Sequence, residues 1–194
     1  MSLEPIIQAD KSFTLWLNSF HSPWSDQFWI FMSDTRIWFP AYAALAVLIV
    51  WKLGWKRGLT LIAALALTVF LADQLSVMVK NSVMRLRPCY DAWMVAGGVH
   101  CPMPRKGFYG FFSSHASNVF AVAMCSAIGV RAENKEKWKA FTWCIFVWAA
   151  LVAFSRVMLA MHYFGDIMVG TLFGLALGAA IGYATRLIIL KARL

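Results

Sequence analysis

The chain has 194 residues, of which 61% are hydrophobic and only 14% charged, and its mean hydropathy is +0.64. A soluble domain carries about 25% charged residues and buries only about two-thirds of its surface at this size, so a water-soluble globule, a disordered chain and a collagen-like rod are excluded. The net charge of +9 then reads not as a nucleic-acid surface but as attraction to anionic bilayer lipids, to an anionic substrate, or to both. The chain reads as an integral membrane protein with no nucleic-acid partner.

In chain order, Glu4, Asp10 and Lys11 interrupt any apolar run at the start, so no cleavable signal is expected. Residues 13–32 are aromatic and apolar but are broken by His21, Pro23 and Asp26. Neither half reaches the roughly 20 residues that cross hydrocarbon, so residues 1–36 are predicted to form one or two amphipathic helices in the interface. The alternative is a sixth, broken span. Residues 37–194 then make the transmembrane domain. Its apolar runs are 37–51, closed by Lys52, Lys56 and Arg57; 58–79, with Asp73 inside; 111–130; the stretch between Lys139 and Arg156; and 164–190. The predicted fold is an all-α bundle of about five full transmembrane spans with a long outer loop at about 81–110. In the last span Gly170, Gly174, Gly178 and Gly182 recur every four residues, a smooth ridge against which a neighbouring helix can come close.

With five spans, ten Lys and Arg fall on the side of Lys52, Lys139 and Lys191, and eight on the side of Lys80 and Arg87. Three of those eight (Lys80, Arg87 and Arg156) sit near histidines. If they have a chemical task, the bias becomes ten against five, which places the first side and the C-terminus in the cytoplasm and the second cluster outside. The ten Trp suit interfacial anchoring. Cys89 and Cys101 share the outer loop and are a candidate disulfide, the alternative being two free thiols. Cys125 and Cys144 read as packing residues inside spans.

Three segments bring polar groups to that outer face. Lys80 to Arg87-Pro88 ends the second span; Ser113-Ser114-His115 enters the third; Ser155-Arg156 and His162 to Asp166 lie between the fourth and fifth. Singly, each has an ordinary explanation: snorkelling cations, a hydrogen-bonded helix-start histidine, a His–Asp pair four residues apart on one helix face. Jointly they are costly at one membrane level unless an anion joins them. Guanidinium forks match phosphate oxygens, so Lys80, Arg87 and Arg156 read as a phosphate cradle, with Ser113, Ser114 and main-chain N–H groups as neutral donors. A histidine oriented by a carboxylate is a nucleophile in waiting, and a second can protonate a leaving oxygen. Three cations beside the site would repel a divalent ion and do its electrostatic work themselves, so no metal is expected. Asp73, about 10 Å before Lys80 along an ideal helix, is read as orienting a basic side chain or bonding a neighbouring span. Arg85, Arg105 and Lys106 are read as an outer rim, and His100, Tyr90 and Asp91 as loop residues.

These residues resemble the type-2 phosphatidic acid phosphatase (PAP2) family of membrane lipid-phosphate phosphatases. Its first motif, Lys, six residues, Arg-Pro, stands here as Lys80 and Arg87-Pro88. Its third, Ser-Arg, five residues, His, three residues, Asp, stands as Ser155, Arg156, His162 and Asp166. The second, Pro-Ser-Gly-His, stands as Phe112-Ser113-Ser114-His115, matching at Ser113 and His115 and departing at Phe112 and Ser114. The resemblance implies a phosphohistidine at His162, with Asp166 polarising it. It implies proton transfer by His115, phosphoryl binding by Lys80, Arg87, Arg156 and Ser113, support of Arg156 by Ser155, and no metal or organic cofactor. It implies a bacterial inner-membrane enzyme acting on a membrane lipid phosphate. The outward site favours undecaprenyl diphosphate, with phosphatidylglycerophosphate, phosphatidate and the lipid A phosphates as alternatives. A lipid phosphotransferase and, from another class, a transporter are the rival functions.

Overall fold

The computed structural model describes residues 3–104, 107–130 and 138–191. Arg105 and Lys106, expected at an outer rim, lie outside the described residues. Among the described residues eight α-helices follow one another: α1 (Glu4–Asn18), α2 (Pro23–Ser33), α3 (Phe39–Leu53), α4 (Trp55–Val83), α5 (Ala92–Ala96), α6 (Ser114–Val130), α7 (Lys139–Met158) and α8 (Phe164–Lys191). Local chemistry sets several of their ends. Ser22 and Ser25 form a reciprocal cap ahead of Pro23, which takes the first turn of α2 where a missing N–H costs nothing. Asp34 caps the 3-10 turn Thr35–Trp38 that leads into α3. Gly54, with φ +80°, reverses the chain between α3 and α4 in a conformation that disfavours other residues. Met84 adopts a left-handed conformation that closes α4 through its N–H on the Lys80 carbonyl.

The expected five or six full spans are not what the fold contains. Among the described residues four stretches are long and apolar enough to cross a membrane: Thr35–Leu53, Trp55–Val83, Lys139–Met158 and Phe164–Lys191. The apolar run at 111–130 merges two things. Its first residues belong to the turn before α6, and α6 itself has 17 residues, about 25 Å of helix, short of the roughly 20 residues that hydrocarbon asks for. α6 is also the central element, packed on α4, α7 and most extensively on α8. Its buried surface is mostly Ala, Ser and Gly, the residues of a helix that meets other helices. The N-terminal segment does not form a sixth span either, because α1 and α2 are separate helices of 15 and 11 residues.

The glycine ridge of α8 finds its neighbour in α6. A Cβ at Gly174 would stand 2.3 Å from the Ser117 carbonyl oxygen, one at Gly178 2.4 Å from that of Ala121, and one at Gly170 2.7 Å from that of Ser113. Main chain therefore lies on main chain along this crossing. The contact fixes the head of α6, with Ser113 to His115, against the head of α8, with Asp166.

α1 lies across the start of α8. The first N–H groups of a helix lack partners of their own. Here Thr14 Oγ1 accepts from Phe164 N at 2.9 Å and Asp10 Oδ1 accepts from Gly165 N at 2.8 Å. Asn18, fully buried, donates to the carbonyls of Met158 and His100 and accepts from His100 N. α2 packs on α7. The loop between α4 and α6 is closed by a disulfide between Cys89 and Cys101, whose Cα atoms are 6.2 Å apart.

Candidate active site

Three chain reversals deliver the polar groups to one place. Past Met84, residues Arg85 to Arg87 run antiparallel to Phe108 to Gly110: Leu86 bridges Tyr109, Arg87 N donates to Phe108 O at 2.9 Å, and Gly110 N donates to Arg85 O at 2.8 Å. Arg87 is then pinned by its Nε on Tyr109 O at 3.1 Å. Ser113, fully buried, caps α6 by accepting from Ala116 N, and its own N–H donates to the Asp166 carbonyl at 3.1 Å. After α7 the chain folds back through Ala160, at φ +51°, so that Met161 N and His162 N both donate to the Arg156 carbonyl.

The cations surround His162. Lys80, in the last turn of α4, bonds the Ser114 hydroxyl, which also shares a 2.7 Å hydrogen bond with Ser76. Arg156, almost wholly buried at the end of α7, bonds the Ser33 hydroxyl of α2. The fields of Lys80, Arg87, Arg156 and His162 all act on His115. Three permanent cations and the two imidazoles of His115 and His162 thus act on one another in one space. Asp73 lies two turns before Lys80 on α4 and its charge acts on the ammonium, while its backbone carbonyl accepts from Ser76. The Ser155 hydroxyl bonds the Val152 carbonyl of its own helix at 2.6 Å. Among the described residues no group of three or more His, Cys, Asp or Glu comes together as a metal site.

His162 is 2% exposed and Asp166 fully buried, with Nδ1 to Oδ2 at 3.6 Å. The charges of Arg156, Arg87 and Lys80 act on the same ring. Burial first, then the charges of Arg156, Arg87 and Lys80, hold the His162 imidazole well below its ordinary value. The sign for stability follows. The unfolded chain takes up a proton at His162 as the pH falls through about 6.5, the folded protein resists it, and folding stability falls with pH below that point. The melting temperature is expected to drop between pH 7 and pH 5, and a His162→Asn variant is expected to show a shallower drop. Parallel slopes in the two proteins would remove His162 from that linkage.

Four polar residues of this site were not visible in the motifs. Arg85, read as a rim residue, points inward: Nη1 donates to Asp166 Oδ1 at 2.6 Å and Nη2 to Asp10 Oδ2 at 2.7 Å. Asp10 and Ser33 come from the N-terminal helices, and Ser76 from one turn before Lys80. The proximity of two arginines in Arg85-Leu-Arg87 was a usable signal; nothing in the sequence marks Asp10, Ser33 or Ser76. Asp91, read as a plain loop residue, caps α5, accepts from the Tyr163 hydroxyl at 3.0 Å and pairs with Lys11 at 2.8 Å. Another of those loop residues, His100, pairs with Asp26 at 2.7 Å and stacks on His21.

An apolar cavity of about 640 Å³ opens beside His115, walled by residues of α3, α4, α6 and α7 that include Tyr42, Ile49, Leu65, Val119 and Trp148. Its volume falls in the range of pockets that hold drug-sized ligands. It meets the polar cluster at two residues, His115 and the Arg156 partner Ser33. An anion cradle that abuts an apolar cavity suits a substrate with a phosphorylated head and a lipid body.

Known proteins agree with that chemistry. Residues 57–188 match the model of the PAP2 superfamily. The chain is 31% identical over 174 residues to a lipid A 4'-phosphatase of Bacteroides thetaiotaomicron, covering 89% of this chain and 75% of that protein. It is 29% identical over 177 residues to a lipid A 4'-phosphatase of Porphyromonas gingivalis, covering 91% and 72%. The fold is similar to the crystal structure of a transmembrane PAP2-type phosphatidylglycerolphosphate phosphatase from Bacillus subtilis, with a TM-score of 0.67, 18% identity, and coverage of 96% of this chain and 87% of that one. It is also similar to that of Aquifex aeolicus LpxE, with a TM-score of 0.61, 20% identity, and coverage of 88% and 92%. With four membrane-length stretches among its described residues, the chain belongs to the PAP2 superfamily as a multi-pass membrane protein and a lipid-phosphate phosphatase.

Proposed function

We propose that the protein removes a phosphate monoester from a lipid A-type glycolipid, without a metal, through a phosphohistidine at His162. The observation that carries the chemistry is the buried imidazole of His162, backed by Asp166 and faced by Lys80, Arg87 and Arg156. His162 Nε2 attacks phosphorus as the bond to the leaving oxygen breaks, and His115 gives that oxygen its proton. Water then attacks the phosphoryl group as the phosphorus–nitrogen bond breaks, with His115 taking the proton, and inorganic phosphate leaves. The three cations, with Ser113 and Ser114, neutralise the phosphoryl oxygens, work that a divalent ion performs in other phosphatases. Lysine and arginine at this density leave a metal little to gain.

The lipid A preference rests on the two relatives that carry that name over most of their length. It displaces undecaprenyl diphosphate, which the outward orientation alone favoured. In this reading the basic cluster faces outward and residues 1–36 lie in the interface; exposed Trp16 of α1, Phe20 of the turn after it and Trp24 of α2, the residue types of a membrane boundary, support it. The test is phosphate release by purified protein from lipid A, undecaprenyl diphosphate, phosphatidylglycerophosphate and phosphatidate, with and without EDTA. Release from lipid A, unchanged by EDTA, is expected. Cleavage of the polyprenyl diphosphate with lipid A left intact would overturn the substrate, and label passing to a second lipid in place of free phosphate would make the protein a phosphotransferase.

A further inference from the structure

The two oxygens of Asp166 have separate partners. Oδ2 faces His162 and accepts from Tyr163 N at 3.1 Å, whereas Oδ1 takes the 2.6 Å bond from Arg85. A wholly buried carboxylate needs a counter-charge, and Arg85 supplies it. Yet an Asp166–Arg85 pair alone is neutral and would give little help to the positive charge that grows on His162 as it attacks. The other fork of the same guanidinium carries Asp10 at 2.7 Å. Two carboxylates on one guanidinium leave a single net negative charge behind His162, held in the low-dielectric interior where it acts strongly.

The guanidinium is held on a third side by the Tyr163 ring, whose centre lies 4.0 Å from Cζ. Asp10 is held in turn: Oδ1 accepts from Gly165 N, the residue before Asp166, and a Cβ at Gly165 would stand 2.8 Å from Oδ2 of Asp10. Glycine at this position admits the carboxylate. Other ties between α1 and the body of the protein do not reach Asp166. Thr14 accepts from Phe164 N, and Lys11 pairs with Asp91.

We propose that Asp10 and Arg85 are positioning residues that complete a charge-balanced relay behind Asp166, so that the N-terminal helix is part of the catalytic apparatus. The proposal rests on the phosphohistidine reading of His162. Around that imidazole stand Arg156, Arg87 and Lys80 on the phosphate side, His115 across the site, and Asp166 behind. Removing the Asp10 charge disfavours the imidazolium. It lowers the rate of attack and moves the acid limb of the pH–rate profile to lower pH, without altering the groups that bind substrate.

The full chain in detergent, acting on dioctanoyl phosphatidate, tests this with three variants. Asp10→Asn is expected to lower kcat by about 10–100-fold, with KM within twofold and the acid limb shifted down. Asp10→Glu is expected to recover most of kcat. Thr14→Val, which removes an uncharged tie from the same helix to the same turn, is expected to lower the melting temperature with the pH profile in place. In parallel, nitrogen chemical shifts of His162 in histidine-labelled protein, assigned with His162→Ala, read the ring without any turnover. One tautomer protonated at Nδ1 is expected in the parent and a mixture in Asp10→Asn. Should Asp10→Asn fail to fold, Arg85→Lys against Arg85→Gln carries the same comparison, the charge-retaining variant keeping the Nδ1 tautomer. If Asp10→Asn and Thr14→Val alter kcat, KM and melting temperature alike with neither pH profile nor tautomer moving, α1 only packs and the relay is overturned. A parent enzyme that releases no phosphate overturns the phosphatase reading, and the imidazole spectra still decide the relay.

Discussion

His162→Ala is expected to abolish phosphate release, with kcat reduced by at least about 10⁴-fold, the scale on which removal of a nucleophile or its base acts in other covalent hydrolases. The loss has one cause. His162 is the imidazole with a carboxylate 3.6 Å from Nδ1 and with the charges of Arg156, Arg87 and Lys80 acting on it. With the imidazole gone, no nitrogen remains there to attack phosphorus. Lys80, Arg87 and Arg156 remain, so binding of a fluorescent lipid phosphate is expected to stay within a few-fold of the parent value. Rapid acid-free quenching of the parent with labelled substrate should trap a phosphoryl group that is stable to base and released by acid, as a phosphorus–nitrogen bond requires. The Ala variant should trap none. Retention of a tenth or more of the activity would remove His162 from the chemistry.

His115→Ala is expected to cost about 10²–10⁴-fold in kcat on a lipid alkoxide, the range for loss of general acid–base catalysis. The size of the effect should depend on the leaving group in a telling way. His115 stands in the first turn of α6, where the apolar cavity meets the basic cluster, on the side from which a lipid body departs. A phenolate that leaves without a proton needs no acid, so with an aryl phosphate the first step should recover while hydrolysis of the phosphohistidine stays slow. A burst of phenol followed by a slow steady state, seen by stopped flow, is the expected signature. Equal losses on both substrates and no burst would assign His115 to structure.

The site was legible where it is built from spacing. Lys80 and Arg87-Pro88, then Ser155-Arg156, His162 and Asp166, are rare polar residues at fixed intervals in an apolar chain, and such residues at membrane depth need a reason. The turn-and-helix geometry that unites them is local to each interval. What stayed illegible comes from far away or from common residue types. Asp10 lies 75 residues from Arg85, and Ser33 lies 123 from Arg156. No local pattern announces either contact. The N-terminal helices could be seen as too short to span, but α1 could not be seen as the cap of α8. The transmembrane count went astray at α6 for a physical reason. A helix buried among helices can be short and rich in Ala, Ser and Gly, so apolar run length, which measures exposure to lipid, misjudges it.

The bare crossing of α8 on α6 carries a mechanical consequence. His115 rides on one helix and Asp166 heads the other, with Gly170, Gly174 and Gly178 between them. No rotamer can yield in such a joint, and close-packed interiors transmit displacement where they cannot absorb it. Thinning or stretching of the surrounding bilayer would therefore tilt both helices as one rigid blade, with the spacing between His115 and Asp166 preserved.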